Sequence, residues 1–390
     1  MFARFCLTRK LITPLMFVGA GLLLAACEDT PSGGPSIDTR APVPVALLVP
    51  SGSGEPNDEI LSESLENSAR LAITDLQGVD IDLRVYATAA NPQTAAAQAQ
   101  LAVDQGAKII LGPLYSASAT AVGQAVADDG VNVLSFSNNT QVAGGNVFVL
   151  GHTFENTAAR LARYASFNGR DQIALMHATT EAGEIAGDAV SNAALNEGAI
   201  VVTEVSYPLT QEGVIEAVPQ IRDSIEEFGA NALFLTSNTA GALPFLSQLL
   251  PEAGIDPEDV QYIGLTRWDI PAQTLELPGV QGGWFALPDP DRTAAFQLRY
   301  EVAFGAQPHR FGSLAYDGIA AIGALVSSQG RDALTATALT QSKGFEGVDG
   351  VFRLNRDGTI ERGLAVAQVI DEQVVVIDPA PQEFAVAGIN

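Results

Sequence analysis

The stretch AKIILGPLYSASA, which runs from Ala107 to Ala119, carries the clearest fold signal in the sequence. Its first six residues, Ala107 to Gly112, include an apolar run that predicts a short buried strand. After a short loop, the pattern from Ser116 to Asp129 predicts a helix that ends at Gly130. A buried strand that leads directly into a helix is the repeating unit of an α/β fold.

Strand and helix patterns alternate on both sides of this stretch. Further strands are predicted at Val43–Pro50, Ile81–Ala87, Val131–Phe136, Gln172–His177, Ile200–Val205, Ala232–Leu235 and Val260–Leu265, with helical patterns between them. Such alternation predicts parallel sheets that are covered by helices on both faces. The length of the repeating region fits two lobes of ordinary size better than one sheet. Only from Val351 to Asp378 does the pattern predict antiparallel strands.

The N-terminal residues have the pattern of an export signal. Arg4, Arg9 and Lys10 precede an apolar run from Leu11 to Ala26, which is shorter than the roughly 20 residues that a membrane-spanning helix needs. The run ends in Leu-Ala-Ala-Cys, which resembles the bacterial lipobox. In a lipobox the cysteine is acylated and becomes the first mature residue, so Cys27 is predicted to be a lipid tether.

These patterns set the predicted start of the folded part. Residues 1–26 are predicted to be a lipoprotein signal peptide, and residues 27–42 a flexible linker, because this segment is rich in Pro, Gly, Ser and Asp. Acyl chains partition into lipid at about 0.8 kcal/mol per CH₂, so they would hold the protein on a membrane. The expected location is the bacterial cell envelope, lipid-anchored and facing the periplasm.

Charge and composition exclude several functions. The chain has a net charge of −25, and loss of the basic signal residues makes the mature charge more negative still. An acidic surface of this kind is not expected to bind nucleic acid. Cys6 and Cys27 are the two cysteines, so the mature body is expected to have no disulfide and no thiolate site. The spacing of the histidines, His152, His177 and His309, matches no metal motif. We therefore expect no catalytic residue, no metal and no cofactor.

Two polar loops follow predicted strands, at the position where open α/β sheets bind ligands. The candidate ligand-binding residues in these loops are Tyr115, Ser116, Ser118, Ser137, Asn138 and Asn139. The serine hydroxyls and the helix-start amides of the first loop could hold a carboxylate. Alternatively, Ser116 only caps its helix, and SFSNNT from Ser135 is an ordinary Asn-rich turn.

Three motifs together resemble the type I periplasmic binding proteins, with the leucine/isoleucine/valine binders nearest. The motifs are VALLVP from Val45, IILGPLYS from Ile109 and VLSFSNN from Val133. The resemblance implies two Rossmann-like, doubly wound lobes with parallel sheets and a ligand cleft between them. Three crossover segments, near Phe154, Trp284 and Phe345, would join the lobes. The implied lobes are 43–154 plus 285–344, and 155–284 plus 345–380.

The resemblance also implies roles for individual residues. Ser116 takes the place of the serine that binds the ligand carboxylate, and residues 137–139 take the place of the segment that adds backbone and hydroxyl contacts. The second lobe departs from the amino-acid binders, because Ala182 stands where they have an aromatic residue and Thr266 where they have an acid. An ammonium group without an anion is costly to bury, which disfavours an amino acid. The candidate second-lobe residues are Thr180, Glu181, Asn238, Arg267, Trp268 and Asp269.

A second branch of the same superfamily accounts for other details. The ending from Gly344 to Val369, the Gly112-Pro113-Leu114 tripeptide and the lipobox resemble the LppC-type lipoproteins, which are penicillin-binding protein activators. This resemblance implies a non-catalytic regulator of peptidoglycan synthesis that works through hinge closure. The alternative is the receptor of an ABC importer for a branched-chain amino acid or a related small polar ligand. The implied partners are the membrane through the lipid, and either a peptidoglycan synthase or an ABC permease.

Overall fold

The computed structural model describes residues 34–384, so the signal segment and Cys27 lie outside the described residues. The strands are β1 (Val43–Val49), β2 (Ile81–Ala87), β3 (Ile109–Leu111), β4 (Asn132–Ser135), β5 (Val147–Val149), β6 (Gln172–Ala178), β7 (Ile200–Tyr207), β8 (Ala232–Leu235), β9 (Gln261–Gly264), β10 (Trp284–Leu287), β11 (Phe345–Gly347), β12 (Gly350–Leu354), β13 (Ile360–Arg362), β14 (Ala365–Ile370) and β15 (Gln373–Asp378). The α-helices are α1 (Pro56–Asp75), α2 (Pro92–Asp104), α3 (Ser116–Ala125), α4 (Phe154–Phe167), α5 (Glu181–Asn196), α6 (Gln211–Phe228), α7 (Leu243–Glu252), α8 (Pro290–Phe304), α9 (Gly312–Gln329) and α10 (Ala336–Leu339).

The first sheet has the order β2-β1-β3-β4-β5, and all its strand pairs are parallel. Strand β1 is buried on both faces of this sheet. Val45 and Leu47 pack in a core on one face, and Ala46 and Leu48 pack in a second core on the other. A strand that is buried on both faces has to be apolar throughout. The α/β class predicted from the alternating pattern is confirmed.

The second sheet has the order β15-β14-β10-β9-β8-β6-β7. Strands β6 to β10 pair in parallel, whereas β14 and β15 form an antiparallel edge next to β10. Helices cover both faces of this sheet as well, and a separate core lies on each face. The two sheets with their helices form two lobes, which we call the first lobe and the second lobe.

A small third sheet, β11-β12-β13, is antiparallel and belongs by packing to the first lobe. Phe345, Phe352, Leu354 and Ile360 are buried in the same core as helices α1 and α9. The boundary predicted at 345 would have assigned this segment to the second lobe. The apolar side chains instead bury themselves against the nearest apolar surface, and the chain enters the second sheet only at β14.

The start of the described chain is also packed. Ile37 is buried in the first core, and its amide donates to the carbonyl oxygen of Arg331 at 3.0 Å. Gly34 lies directly against the backbone of Leu334. This differs from the flexible linker predicted for residues 27–42, because residues 34–37 are held on the first lobe. Between residues 34 and 384, every helix is too short or too polar to cross a bilayer.

The chain passes between the lobes three times within the described residues, after β5, after β10 and after β13. Hydrogen bonds tie these passages together. The amide of Asp289 donates to the carbonyl oxygen of Asp349 at 3.1 Å, and the Asn156 side chain donates to the carbonyl oxygen of Arg362 at 3.2 Å. The three passages therefore form one connected hinge region.

Candidate functional site

The first lobe places two predicted serines side by side at the carboxyl ends of β3 and β4. The Ser116 and Ser137 hydroxyl oxygens are 3.1 Å apart, and Ser137 Oγ accepts a hydrogen bond from the Asn139 amide at 3.1 Å. Ser116 is half-buried and Ser137 is buried. The hydroxyls of Ser116 and Ser137 can both donate to one carboxylate. The free amides at the start of helix α3 also favour negative charge at this position.

The capping alternative does not hold for Ser116. Helix α3 begins at Ser116, and the residue before it, Tyr115, occupies the cap position without a side-chain hydrogen bond to the helix. The hydroxyl of Ser116 is therefore left for its neighbour Ser137 and for a ligand. Ser118 is buried in the first turn, and its hydroxyl has no hydrogen-bond partner among the described residues.

The two asparagines differ from each other. The side chain of Asn139 accepts from the amide of Gln141 at 2.9 Å and caps a short 3₁₀ helix over Thr140–Val142. The alternative of an ordinary turn residue therefore describes Asn139 well, although its backbone amide still orients Ser137. Asn138 is exposed beside them. The loop thus offers backbone and hydroxyl groups more than side-chain amides.

Tyr115 is held by a residue that the sequence analysis did not select. Its hydroxyl donates to Oδ1 of Asp58, which is buried in the first turn of α1. The hydrogen bond to Asp58, with a smaller effect of burial, raises the pKa of Tyr115 to about 12. Tyr115 is 40% exposed, so this bond fixes a partly exposed aromatic residue directly before Ser116 in the chain. One sequence signal could have pointed to Asp58: it opens the helix that follows the carboxyl end of β1.

The second lobe contributes three exposed polar residues at the carboxyl ends of β6 and β8. Thr180 caps helix α5 by accepting from the amide of Gly183 at 3.1 Å. Glu181 follows it and is exposed in the first turn. Asn238 is also exposed, in the loop after β8. Thr180 is therefore engaged in its own helix, whereas Glu181 and Asn238 present free side-chain ends.

The loop after β9 holds an ion pair. Arg267 Nε donates to Asp269 Oδ1 at 2.6 Å, and Arg267 Nη2 donates to Asp269 Oδ2. The Arg267 side chain is 34% exposed and that of Asp269 is 16% exposed. Next to them, the Thr266 hydroxyl donates to the carbonyl oxygen of Ser237 at 3.3 Å, which ties this loop to the loop after β8.

Trp268 does not belong to the site. Its side chain has no exposed surface and packs in the second core, against Gly264 and Gly283 and near Phe285. A ligand at the carboxyl ends of the strands cannot touch it. The structure therefore corrects the prediction of Trp268 as a ligand-binding residue, because the loop turns this side chain inwards to fill the core.

A polar network lies at the hinge. His152 Nε2 is 3.1 Å from Asp349 Oδ2, and Ser313 donates to the same carboxylate oxygen at 2.6 Å. Arg362 donates to Asp317 Oδ2 at 2.8 Å, and both side chains are almost fully buried. No local sequence pattern predicts this network, because His152 and Asp349 are 197 positions apart.

Burial and neighbouring charges shift the pKa values of this network. Burial lowers the pKa of His152, against the opposing effect of Asp349, and the charges of Arg362 and Arg267 lower it further. Burial alone would raise the pKa of Asp349, but the hydrogen bond from His152, the charges of His152 and Arg362, and the hydrogen bond from Ser313 lower it to about 2.

A separate groove of about 940 Å³ runs along the same passages. Each arginine that lines it is paired with an acid: Arg160 with Asp378 at 2.5 Å, Arg163 with Glu197 at 2.7 Å, Arg353 with Glu361 at 2.6 Å and Arg362 with Asp317 at 2.8 Å. The groove does not include the serine pair or the β9 loop, which stand at the carboxyl ends of parallel strands, where open α/β sheets bind ligands. The serine pair and the β9 loop are the stronger candidate site.

Comparison with known proteins identifies the family. A family model described as "Periplasmic binding protein" matches residues 42–373. A curated relative, an uncharacterised protein of Rickettsia prowazekii (strain Madrid E), is 24% identical over 157 residues, which span 40% of this chain and 41% of that protein. The match thus covers less than half of the relative's length.

Two solved structures share the fold. A Rhodospirillum rubrum protein, provisionally assigned as a branched-chain amino acid ABC transporter, has a TM-score of 0.73 at 20% identity, covering 86% of this chain and 100% of that one. A solute binding protein of an ABC transporter from Rhodopseudomonas palustris BisB5, in complex with 3,4-dihydroxy benzoic acid, has a TM-score of 0.59 at 19% identity, covering 88% and 97%. At these identities the likeness concerns the fold alone.

Proposed function

This chain belongs to the periplasmic binding protein family, and on that premise we propose that it is the solute-binding receptor of an ABC importer. Its ligand is a small molecule with a carboxylate group, which binds between the carboxyl-end loops of the two lobes. Family membership implies a periplasmic location. Hinge closure around the ligand would present the closed form to the importer's permease.

The observation that carries this proposal is the pair of hydroxyls on Ser116 and Ser137, 3.1 Å apart at the start of helix α3. Hydrogen bonds to a charged acceptor are stronger than neutral ones, and a carboxylate can accept from both hydroxyls and from helix-start amides. The partly exposed Tyr115, fixed by Asp58, adds an aromatic residue directly before Ser116 in the chain. A small organic acid matches this combination of groups.

The lipid tether at Cys27 is part of the same proposal. A receptor tethered to a membrane would stay close to its permease, and the lipobox-like sequence before Cys27 supports the tether. Mass spectrometry of the protein purified from membranes should find an acylated Cys27 as the first residue. An intact leader, or a mature chain that starts at another residue, would contradict the tether.

The regulator of peptidoglycan synthesis, which was the main interpretation of the sequence, has less support than the importer receptor. The similar structures described above come from ABC transport systems, and the family is one of binding proteins. The features that resemble LppC-type lipoproteins, including the segment from Gly344 to Val369, also fit a transport receptor. We therefore place the importer receptor first.

The experiment is isothermal titration of the purified protein with 3,4-dihydroxybenzoate, butyrate, succinate, glutarate and leucine. We expect at least one carboxylic acid to bind, and the double substitution Ser116→Ala with Ser137→Ala to weaken that binding by about tenfold or more. The control is Ser327→Ala, an exposed serine in helix α9 of the same lobe. Binding by none of these acids, or equal binding by the double variant, would refute the proposal.

A further inference from the structure

The second lobe presents a positioned cation at its ligand-facing edge. Arg267 stands in the loop after β9, and Asp269 holds its Nε and Nη2 atoms through two hydrogen bonds. These bonds fix the guanidinium plane and leave Nη1 without a hydrogen-bond partner among residues 34–384. The side chain is 34% exposed, so Nη1 is positioned by its own loop and still accessible to a ligand.

The free negative charge on this edge is limited. Asp269 is engaged with Arg267, and the remaining acid among the predicted site residues is Glu181, which is exposed in the first turn of α5. An ammonium group that leaves water needs an anionic partner, and a partner that stays in water attracts it only weakly. The loop after β9 therefore offers a ligand carboxylate an N–H donor, whereas its own acid, Asp269, is already paired with Arg267.

We propose that the ligand is a dicarboxylic acid, with one carboxylate on the Ser116–Ser137 hydroxyls of the first lobe and the second carboxylate on Nη1 of Arg267. This inference rests on the proposed function, since it needs a ligand between the two edges. Arginine suits the role because its planar guanidinium binds carboxylates with directional hydrogen bonds. Arg267 is then the residue that selects a diacid over a monoacid or an amino acid.

The position of Arg267 supports this assignment. It follows the carboxyl end of β9, which is the edge of the sheet where open α/β folds bind ligands. Thr266 ties this loop to the loop after β8, so the two loops stand together at one edge of the second sheet. A diacid that bridges the two edges would stabilise the closed form, because it binds both lobes only when they are close together.

The test compares succinate and glutarate with butyrate and leucine in the same titration. We expect a diacid to bind the wild-type protein most tightly. Arg267→Met should weaken binding of that diacid by about tenfold to a hundredfold, and should change the affinity for butyrate by less than about threefold. Arg267→Lys should recover part of the affinity, because it restores the charge without the planar fork.

The matched control is Arg222→Met, because Arg222 is also an exposed arginine whose Nε donates to a nearby aspartate, Asp223. It should leave all affinities unchanged. Glu181→Gln tests the competing assignment, in which Glu181 binds an ammonium group.

The possible results separate the inference from the proposed function. If leucine binds best and Glu181→Gln weakens it while Arg267→Met does not, the receptor function stands and the diacid inference fails. If a diacid binds equally well to the wild type and to Arg267→Met, the inference also fails. If no compound binds the wild-type protein at millimolar concentration, both the proposed function and the diacid inference fail.

Discussion

Two arginine–aspartate pairs in this protein have the same chemistry and opposite surroundings. Arg362 and Asp317 meet at the hinge at 2.8 Å, with side chains 1% and 0% exposed. Arg267 and Asp269 meet in the β9 loop, with side chains 34% and 16% exposed. The first pair joins segments 45 positions apart, whereas the second joins residues two positions apart in one loop.

This difference in burial explains why we assign different roles to the pairs. A fully buried pair is costly to separate, because each charge left alone would have lost its hydration without compensation. The Arg362 guanidinium also donates to the carbonyl oxygen of Leu150 at 2.9 Å, so it fixes the first and third passages together. The partly exposed pair, Arg267 with Asp269, contributes little to stability and can keep a donor available for a ligand. The predictions below test this contrast.

The largest expected effect is on stability. Asp317→Asn should lower the free energy of unfolding by about 3–5 kcal/mol, because it leaves Arg362 charged and buried without its anion. Urea denaturation followed by circular dichroism measures the loss. Asp269→Asn is the matched control in the exposed pair and should cost less than about 1 kcal/mol. Equal losses in the two variants would mean that burial does not distinguish the pairs.

The buried network should also give the protein a specific response to acid. The pKa of Asp349 is lowered to about 2, below its value in the unfolded chain, so its contribution to stability is present above about pH 4 and is lost as the pH falls towards 2. The stability difference between the wild type and Asp349→Asn should therefore shrink by about 2 kcal/mol between pH 4 and pH 2. Thermal unfolding of both proteins across this range measures it.

The histidine of the network acts at higher pH. Because the pKa of His152 is lowered by folding, the neutral form is favoured, and its contribution to stability is lost as the pH falls below about 6.5. Burial raises the pKa of Asp317 to about 6. Its contribution to stability therefore increases as the pH falls from 6 to 4, which is opposite to the change for His152. These two groups partly cancel there, so the range below pH 4 isolates Asp349. A constant difference between wild type and Asp349→Asn across that range would show that its pKa is not lowered.

Neighbouring residues of the β9 loop should respond differently to substitution. Trp268→Phe should lower the free energy of unfolding by about 1 kcal/mol, because it leaves a small cavity in the second core. It should leave the affinity for a bound diacid unchanged, since Trp268 has no exposed surface. Titration and urea denaturation of the same variant measure both quantities. A loss of affinity without a loss of stability would restore Trp268 as a ligand contact.

The same loop shows how much of the site the sequence could predict. The position of the loop followed from the strand pattern, because apolar runs such as Val260–Leu265 are local signals. The directions of Arg267 and Trp268 did not follow, because a loop has no regular period that assigns side chains to a face. Only packing against Gly264 and Gly283 turns Trp268 inwards.

The long-range parts of the structure were less predictable for a related reason. The alternation of strands and helices predicted the parallel parts of the two large sheets, since each strand–helix unit is encoded by its own residues. The third sheet is also local in pairing, but its place on the first lobe depends on contacts of Phe345 and Phe352 with the core. The partners of His152 and Arg362 come from distant segments, and no pattern in one sequence links them.

The smallest expected effect concerns the positioning role of Asp269. Asp269→Asn keeps an oxygen that can accept from Arg267 Nε but loses the charge that holds the guanidinium in plane. We expect the affinity for a diacid to fall by about threefold to tenfold, and the affinity for butyrate to stay the same, because the monoacid does not need Arg267. Titration with both ligands measures this difference, and Asp223→Asn in the exposed Arg222 pair serves as the control. If butyrate and the diacid lose affinity equally, Asp269 supports the loop as a whole and does not position Arg267 for a second carboxylate.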